Sequence, residues 1–481
     1  MPGPRILQLA VLLGSTALAA GEHPAPATRI HSITDISHEF TFYLDGRFAS
    51  NYIVPSGGVD ARNWGTLHEC DLRDANLLIL ASGATPCPYL KEDIRAVREF
   101  LEGGGGVAVL GDRALFRGEK EYRLNELARA FGAEFEEGRA KEPLKAAAAT
   151  EATEAKAAIR TYGGRTIRLE TPGEWETLIR DAAERPVAAR RKVGRGVLLV
   201  ASRALAGHQP DAKDPINAEW WRPLLVEAAK NKVVDPARPP RAAMPENETL
   251  KGGLRIKHSD YLAPCADKIF EIYSRARPVL ERILGVPPSP DMLASLILLP
   301  TGGGGFSSGR EIGLGVWWGD FPEKEYGMVE LLGHEATHSW VLPFPEPLWN
   351  EGIATYAGIL LGRELGFAKE ADATLQGWLE GARRHDPDMK VLDLASEKEV
   401  PHEVRMAKPM WIFEELRKEK PDVLARYFQA KRRLVDAKTV QRYSADDSVA
   451  VLSEAVGRDL FPWFRSIGIQ VDRSRTKLPV K

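Results

Sequence analysis

The sequence predicts two folded units: an α/β N-terminal domain, in which helices cover a parallel sheet, and an α+β C-terminal domain whose final part is mostly helical. In the first half, short apolar runs alternate with segments of helical periodicity. A proline-rich stretch then precedes a second half with longer helical patterns. At 481 residues the chain is too long for one ordinary core. We therefore predict domains at residues 39–235 and 251–481, joined by a linker at 236–250.

Residues 1–20 have the pattern of a secretory signal peptide. A short positive start ending at Arg5 is followed by the apolar run Ile6 to Leu13, and small residues follow at a spacing suited to cleavage. A disordered apolar N-terminus is the alternative. No later stretch reaches the ~20 apolar residues of a membrane span. The sequence therefore predicts an exported protein, periplasmic or secreted.

Composition excludes some classes of partner. Hydrophobic residues make up 44% of the chain and charged residues 27%, as in soluble globular proteins. The net charge of −2 gives no basic surface for nucleic acid or for an anionic membrane. The three cysteines, Cys70, Cys87 and Cys265, form no CxxC pair, so neither a disulfide framework nor a cysteine metal site is indicated. Whether Cys70 and Cys87 pair is left open.

The N-terminal elements follow a strand–helix–strand order. Continuous apolar runs predict buried parallel strands, and segments with apolar residues at helical spacing predict the helices between them. The strands are predicted at 75–81, 107–110 and 196–202, and the helices at 90–101 and 125–131. The glycines at 103–106 follow a helix and precede a strand, so they predict a helix stop and not a phosphate-binding loop.

From Asp71 to about Arg203 this half resembles the class I glutamine amidotransferase-like domains. That family carries a nucleophilic cysteine in a sharp turn directly after a strand. Here the strand at 107–110 runs into Gly111-Asp112-Arg113, and Cys87 lies in a Thr-Pro-Cys-Pro loop. The resemblance therefore implies the fold without the activity, and we predict a non-catalytic domain.

In the second half, a predicted helix at 266–284 precedes two predicted strands, at 292–299 and 312–318, with a glycine-rich loop at 301–309 between them. The second strand lies just before the helix predicted at 323–340. Two interpretations remain open. The strand presents an open edge that holds an extended substrate by main-chain hydrogen bonds, or the segment is a hairpin with a mobile loop.

The predicted helix at 323–340 carries the pattern His334-Glu335-x-x-His338. Residues four apart share one helical face, so both imidazoles can point at one metal ion. Glu335 can then reach a water on that metal without being a ligand. A second helix, predicted to start near Pro347, offers Glu351 as a third ligand. This donor set favours zinc with an open fourth position for water.

These two blocks, with Asn350-Glu351-Gly352 as the second, resemble the gluzincin zinc metallopeptidases. The short spacing is similar to the peptidase-MA-like and enhancin-like, mucin-directed branch, and the resemblance covers about residues 255–470. It implies one Zn²⁺ per chain held by His334, His338 and Glu351. It also implies hydrolysis of peptide bonds by a metal-activated water, with Glu335 as general base, on a protein or glycoprotein substrate.

Several features stay open at this stage. Thr355 stands where this group often has an acidic residue that orients a histidine ligand; its hydroxyl, or Asn350, is the predicted substitute. Tyr427, Tyr443 and His402 are candidates for stabilising the oxyanion, with no choice among them. An aminopeptidase, with Glu311 or Asp320 binding the substrate amine, is one alternative function. A catalytically silent glycan- or envelope-binding protein is another.

Overall fold

A computed structural model provides the structure of the chain. It describes residues 29–35, 38, 46–63, 65–82, 88–112, 122–146, 159–161, 163–206, 216–241, 245, 247–288, 293, 295–299, 304–317, 320–340, 344–396, 400–435, 440 and 442–478. The predicted signal peptide and Cys87 lie outside these residues. Within them there are twelve α-helices and three sheets, in a mixed α/β arrangement.

The first sheet has eight strands in the order β2-β1-β3-β4-β10-β9-β8-β6, and a separate two-stranded sheet pairs β5 with β7. Their bounds are β1 His31–Asp35, β2 Val59–Asn63, β3 Leu77–Ser82, β4 Gly106–Gly111, β5 Ala133–Arg139, β6 Lys145–Ala146, β7 Arg165–Leu169, β8 Glu176–Arg180, β9 Pro186–Val193 and β10 Gly196–Ser202. Five neighbouring strands, β2, β1, β3, β4 and β10, are parallel, as predicted. The strands β9, β8 and β6 pair antiparallel, so the sheet is mixed and the prediction of a parallel sheet is wrong for these three strands.

Helices cover both faces of this sheet: α1 Gly46–Tyr52, α2 Lys91–Glu102, α3 Leu124–Ala130 and α4 Ala218–Ala229. Alternate residues of β3 enter different cores. Leu78 and Leu80 pack in the cluster that contains residues of α2 and α3, whereas Leu77 and Ile79 pack in the cluster that contains residues of α1 and α4. Burial on both faces explains the continuous apolar run of β3. Helix α2 ends at Glu102, just before the predicted glycine stop.

The second half contains a five-stranded sheet in the order β11-β12-β13-β15-β14, followed mainly by helices. The strands are β11 Asn247–Lys251, β12 Leu254–His258, β13 Ser295–Leu299, β14 Gly305–Ser307 and β15 Glu311–Gly315. The helices are α5 Ala263–Leu284, α6 Tyr326–Trp340, α7 Asn350–Glu364, α8 Ala368–Arg383, α9 His402–Glu419, α10 Val423–Leu434, α11 Ala445–Val456 and α12 Phe461–Ser466. One apolar cluster joins residues from Leu254 to Leu478. The proposed domain boundaries themselves stay a prediction.

Two local predictions need correction. The helices that carry the candidate ligands begin three residues later than predicted, at Tyr326 and Asn350. The strand predicted at 312–318 is β15, and it lies between β13 and β14 instead of at the edge. The edge strand is β14, within the stretch predicted to be a loop. No described helix is long and apolar enough to cross a membrane.

Candidate metal centre

The candidate ligands meet because α6 and α7 touch through their backbones. Glycine occupies the crossing on both helices, at Gly333 and Gly358. A Cβ added to Gly358 would lie 2.4 Å from the backbone oxygen of Glu330, and one added to Gly333 would lie 2.7 Å from the Cα of Gly358. Both distances are shorter than real Cβ contacts allow, so only glycine fits here. This crossing lies beside the first histidine of the motif.

Three side chains converge next to the crossing. His334 Nε2 lies 3.2 Å from His338 Nε2 and 3.3 Å from Glu351 Oε2, and His338 Nε2 lies 3.6 Å from the same oxygen. Two atoms that each lie ~2.0–2.1 Å from a tetrahedral zinc ion are about 3.3–3.4 Å apart. The three separations therefore fit a zinc ion. Within the described part of the chain, His334, His338 and Glu351 form a group of three potential metal ligands whose ligand atoms all lie within 4.8 Å of one another.

Neighbouring groups hold the ligands in the required form. His334 Nδ1 lies 2.9 Å from Thr355 Oγ1, so a proton on Nδ1 leaves Nε2 free to bind metal. Asn350 Nδ2 donates to Glu351 Oε1 at 2.9 Å and lies 3.4 Å from His338 Nδ1. The Thr355 hydroxyl can accept from His334 Nδ1, as the missing acidic residue would, whereas the Asn350 side chain faces His338 with a donor and contacts Glu351 instead.

The charges of the ligands suit a cation. Burial lowers the pKa of His334, which favours the neutral imidazole that binds metals. Hydrogen bonds from His334 and His338 hold the pKa of the Glu351 carboxyl well below its usual range. Glu351 is therefore ionised at neutral pH, and its side chain is 57% exposed, open to the cleft that it lines.

Glu335 points into the same cleft but is not part of the ligand group. It is 5% exposed, and this burial, with a smaller contribution from the charge of Glu351, raises the pKa of Glu335 to about 8. Gly305 of the edge strand leaves it room, since a Cβ there would lie 2.8 Å from Glu335 Oε1. The site thus combines a metal-ligand group with a separate buried carboxyl that exchanges a proton near neutral pH.

The cleft has a volume of about 360 Å³ and is lined by the ligands, by Glu335, and by residues of β14. Phe306 and Ser307 of β14 pair with β15 on one side, and Ser307 Oγ lies 3.2 Å from Ser339 Oγ of α6. The sequence did not single out β14, because its glycine-rich surroundings predict a loop. Its one signal was that this loop lies between two predicted strands.

The two candidate amine-binding carboxylates lie outside the described lining of the cleft. Glu311 accepts hydrogen bonds from Lys257 Nζ (2.7 Å) and Ser295 Oγ (3.2 Å). Asp320 Oδ2 lies 2.9 Å from Lys324 Nζ. Both carboxylates are paired with lysines of this chain, and neither contact involves the site.

The three oxyanion candidates are also absent from the described lining. Tyr427 and Tyr443 are buried, and their hydroxyls lie 3.0 Å from each other in the helical core. His402 is exposed at the start of α9, with its ring 5.8 Å from that of Trp378. Sequence reasoning missed Glu346, the buried partner of Tyr427, and Lys431, which also donates to Glu346; the only signal was that Lys431 follows Tyr427 by one helical turn.

No protein-family model and no curated protein matches the sequence. Solved structures with partial likeness include a cytoplasmic protein from Salmonella typhimurium, with 10% identity over 42% of this chain and 99% of that one, at a TM-score of 0.32. An exo-β-1,4-mannosidase from Opitutaceae bacterium strain TAV5 has 16% identity over 43% of this chain and 37% of that one, at a TM-score of 0.28. A two-domain M1 zinc metallopeptidase variant bound to L-tryptophan has 16% identity over 49% of this chain and 52% of that one, at a TM-score of 0.34. These scores establish neither a family nor an activity.

Proposed function

We propose that this chain is a zinc-dependent peptidase, with His334, His338 and Glu351 as the metal ligands and Glu335 as general base. The observation that carries the proposal is the geometry of the ligand group. Its atoms have the mutual separations that tetrahedral zinc requires, although the three residues come from two different helices. The separate buried carboxyl in the same cleft supports hydrolysis over a purely structural metal site.

Each side chain has a distinct task. When bound, zinc lowers the pKa of water towards ~7 and polarises a carbonyl oxygen. Glu335 accepts the proton of the attacking water at its carboxylate and returns it to the leaving nitrogen. Burial favours this role, because it raises the pKa of Glu335 and makes its carboxylate a stronger base. The edge strand β14 offers main-chain hydrogen bonds to an extended substrate beside Glu335.

We also propose a protein or glycoprotein substrate and an exported location, periplasmic or secreted. The support is the sequence pattern of residues 1–20 and the resemblance to the mucin-directed gluzincin branch. The aminopeptidase alternative is less well supported, since the two carboxylates expected to bind the substrate amine, Glu311 and Asp320, are both paired with lysines.

The test combines metal analysis with cleavage of a peptide library that includes mucin-type glycopeptides. We expect one zinc per chain in the wild type, none in Glu351→Ala, and one in Glu335→Gln. The wild type should cleave peptides, whereas Glu335→Gln should not. A wild-type protein without metal at neutral pH would overturn the proposal, as would a fully active Glu335→Gln variant. Zinc without cleavage would favour the silent binding protein.

A further inference from the structure

Glu346 is a buried carboxylate in the loop that joins α6 to α7. Only 2% of the residue is exposed. The loop also carries Pro345, which lines the cleft, and it leads directly to Asn350 and Glu351. A charge in such a place needs partners, because burying an unpaired carboxylate is unfavourable.

The partners of Glu346 come from α10 and from the segment after it. Lys431 Nζ donates to Glu346 Oε1 at 2.5 Å and to the backbone oxygen of Phe344 at 2.6 Å. Tyr427, one turn earlier on α10, donates its hydroxyl to Glu346 Oε2 at 2.5 Å. Tyr443 completes the set through its contact with the Tyr427 hydroxyl. We call these four residues, Glu346, Lys431, Tyr427 and Tyr443, the Glu346 network.

The network holds its geometry tightly. Lys431 and Tyr427 are 0% exposed, so water does not compete for their hydrogen bonds. Burial also raises the pKa of Tyr427 well above its usual value, which keeps the hydroxyl protonated as a donor. Both oxygens of Glu346 are therefore fixed to one face of α10.

The backbone of Glu346 connects this network to the candidate ligands. The backbone N–H of Glu346 donates to Asn350 Oδ1 at 3.4 Å, and the backbone carbonyl oxygen of Glu346 accepts from the backbone N–H of Asn350 at 3.2 Å. The other end of the Asn350 side chain contacts Glu351 and His338. A continuous set of contacts thus leads from α10, through Glu346 and Asn350, to two of the three ligands.

We propose that Glu346, fixed to α10 by Lys431 and Tyr427, is a positioning residue that sets Asn350, and through Asn350 the ligand Glu351, for metal binding. The inference rests on the proposed function. The stability of the fold does not require the buried Glu346–Lys431 ion pair, because a well-packed apolar pair in a buried position often contributes as much to the free energy of unfolding. The ion pair instead fixes the loop in one position, and groups that orient metal ligands affect affinity strongly.

The experiment compares zinc dissociation constants, measured at pH 7 by competition with a chromophoric chelator. In Glu346→Ala the ligands are intact but the loop loses both contacts of the Glu346 carboxylate with α10. We expect its zinc dissociation constant to rise about 10–100-fold, with one zinc still bound at saturation. Tyr427→Phe, which removes one hydroxyl and keeps the ring, should raise the constant about 3–10-fold. This second variant serves as the test if Glu346→Ala does not fold.

Asp386 provides a matched control. It is also fully buried, pairs with Lys408 Nζ at 3.2 Å, and accepts from the amides of Lys390, Val391 and Leu392. No described contact of Asp386 leads to the cleft. Asp386→Ala should therefore lower the melting temperature while the zinc dissociation constant stays within about twofold of the wild type.

The outcomes separate the two proposals. If the wild type binds zinc and Glu346→Ala or Tyr427→Phe binds it equally well, the positioning role is wrong. It is also wrong if Asp386→Ala weakens zinc binding as much as Glu346→Ala, since the effect then reflects stability. A wild type that binds zinc but cleaves no peptide overturns only the peptidase proposal. A wild type that binds no zinc overturns both.

Discussion

The contact between Gly305 and Glu335 makes a sharp prediction for Gly305→Ala. A Cβ at this position would lie 2.5 Å from the backbone oxygen of Gly313 and 2.8 Å from Glu335 Oε1, whereas ordinary contacts begin at 3.4 Å. The oxygen of Gly313 belongs to β15, which pairs with β14, so it cannot retreat without breaking that pairing. A movement of Glu335 by about 0.6 Å relieves only its own contact, so β14 must also shift relative to β15.

These shifts change the position of Glu335, the proposed general base, relative to the strand beside it. Displacements near 1 Å cost about 100-fold in rate, so we expect turnover in Gly305→Ala to fall about 10–100-fold. Overpacking of this kind also lowers the free energy of unfolding by about 1–3 kcal/mol. The zinc content should stay at one per chain, because the atoms nearest to the added methyl group belong to Gly313 and Glu335 and not to a ligand.

Gly377→Ala is the control, since no atom lies within 4 Å of a Cβ at that position in α8. Alanine there should leave turnover unchanged and stabilise the helix by about 1 kcal/mol. The assay is the initial rate on the best library peptide at saturating zinc, with urea unfolding of both variants. Wild-type turnover in folded Gly305→Ala would refute the position assigned to Glu335.

Three further predictions concern the same helices. Thr355→Val removes the partner of His334 Nδ1 and should raise the zinc dissociation constant about 10–100-fold, whereas Thr355→Ser should not; equal affinities for the two would contradict this role. Gly358→Ala should push α6 and α7 apart, lowering the free energy of unfolding by about 1–3 kcal/mol in urea and weakening zinc binding, and an unchanged protein would contradict the close crossing. Burial raises the pKa of Glu330 from 4.5 to about 7, so ionisation of this carboxyl opposes folding. The contribution of protonated Glu330 to the free energy of unfolding is complete below pH 4.5 and is lost as the pH rises through 7. Between pH 5 and pH 8 the free energy of unfolding of the metal-free protein in urea should therefore fall by about 2–3 kcal/mol more in the wild type than in Glu330→Gln. Equal decreases in the two proteins would refute the raised pKa of Glu330.

Local patterns predicted much of the site. Four-residue spacing put His334 and His338 on one helical face, and the helix after the proline-containing loop brought Glu351 to them. Continuous apolar runs also identified β3, β4 and β10, which are buried on both faces. Each of these features depends on residues close together in the sequence.

The missed features depend on distant residues. The antiparallel strands β8 and β9 contain exposed arginines, and without knowledge of their pairing they have no clear strand pattern. Lys431 and Glu346 look like surface charges in the sequence, and only the packing of α10 against the α6–α7 loop buries them. For the same reason the sequence leaves Tyr427 as a candidate for stabilising the oxyanion, whereas in the structure its hydroxyl donates to Glu346.

The glycine crossing of α6 and α7 has a consequence for the relation between folding and the proposed metal binding. Direct backbone contact at Gly333 and Gly358 fixes the two helices by packing, so the positions of the candidate ligands follow from the fold of α6 and α7. Small zinc domains, in contrast, are unfolded until the metal arrives. Here the packing of α6 on α7 holds the ligand-bearing helices together, so folding and the proposed metal binding need not be one event.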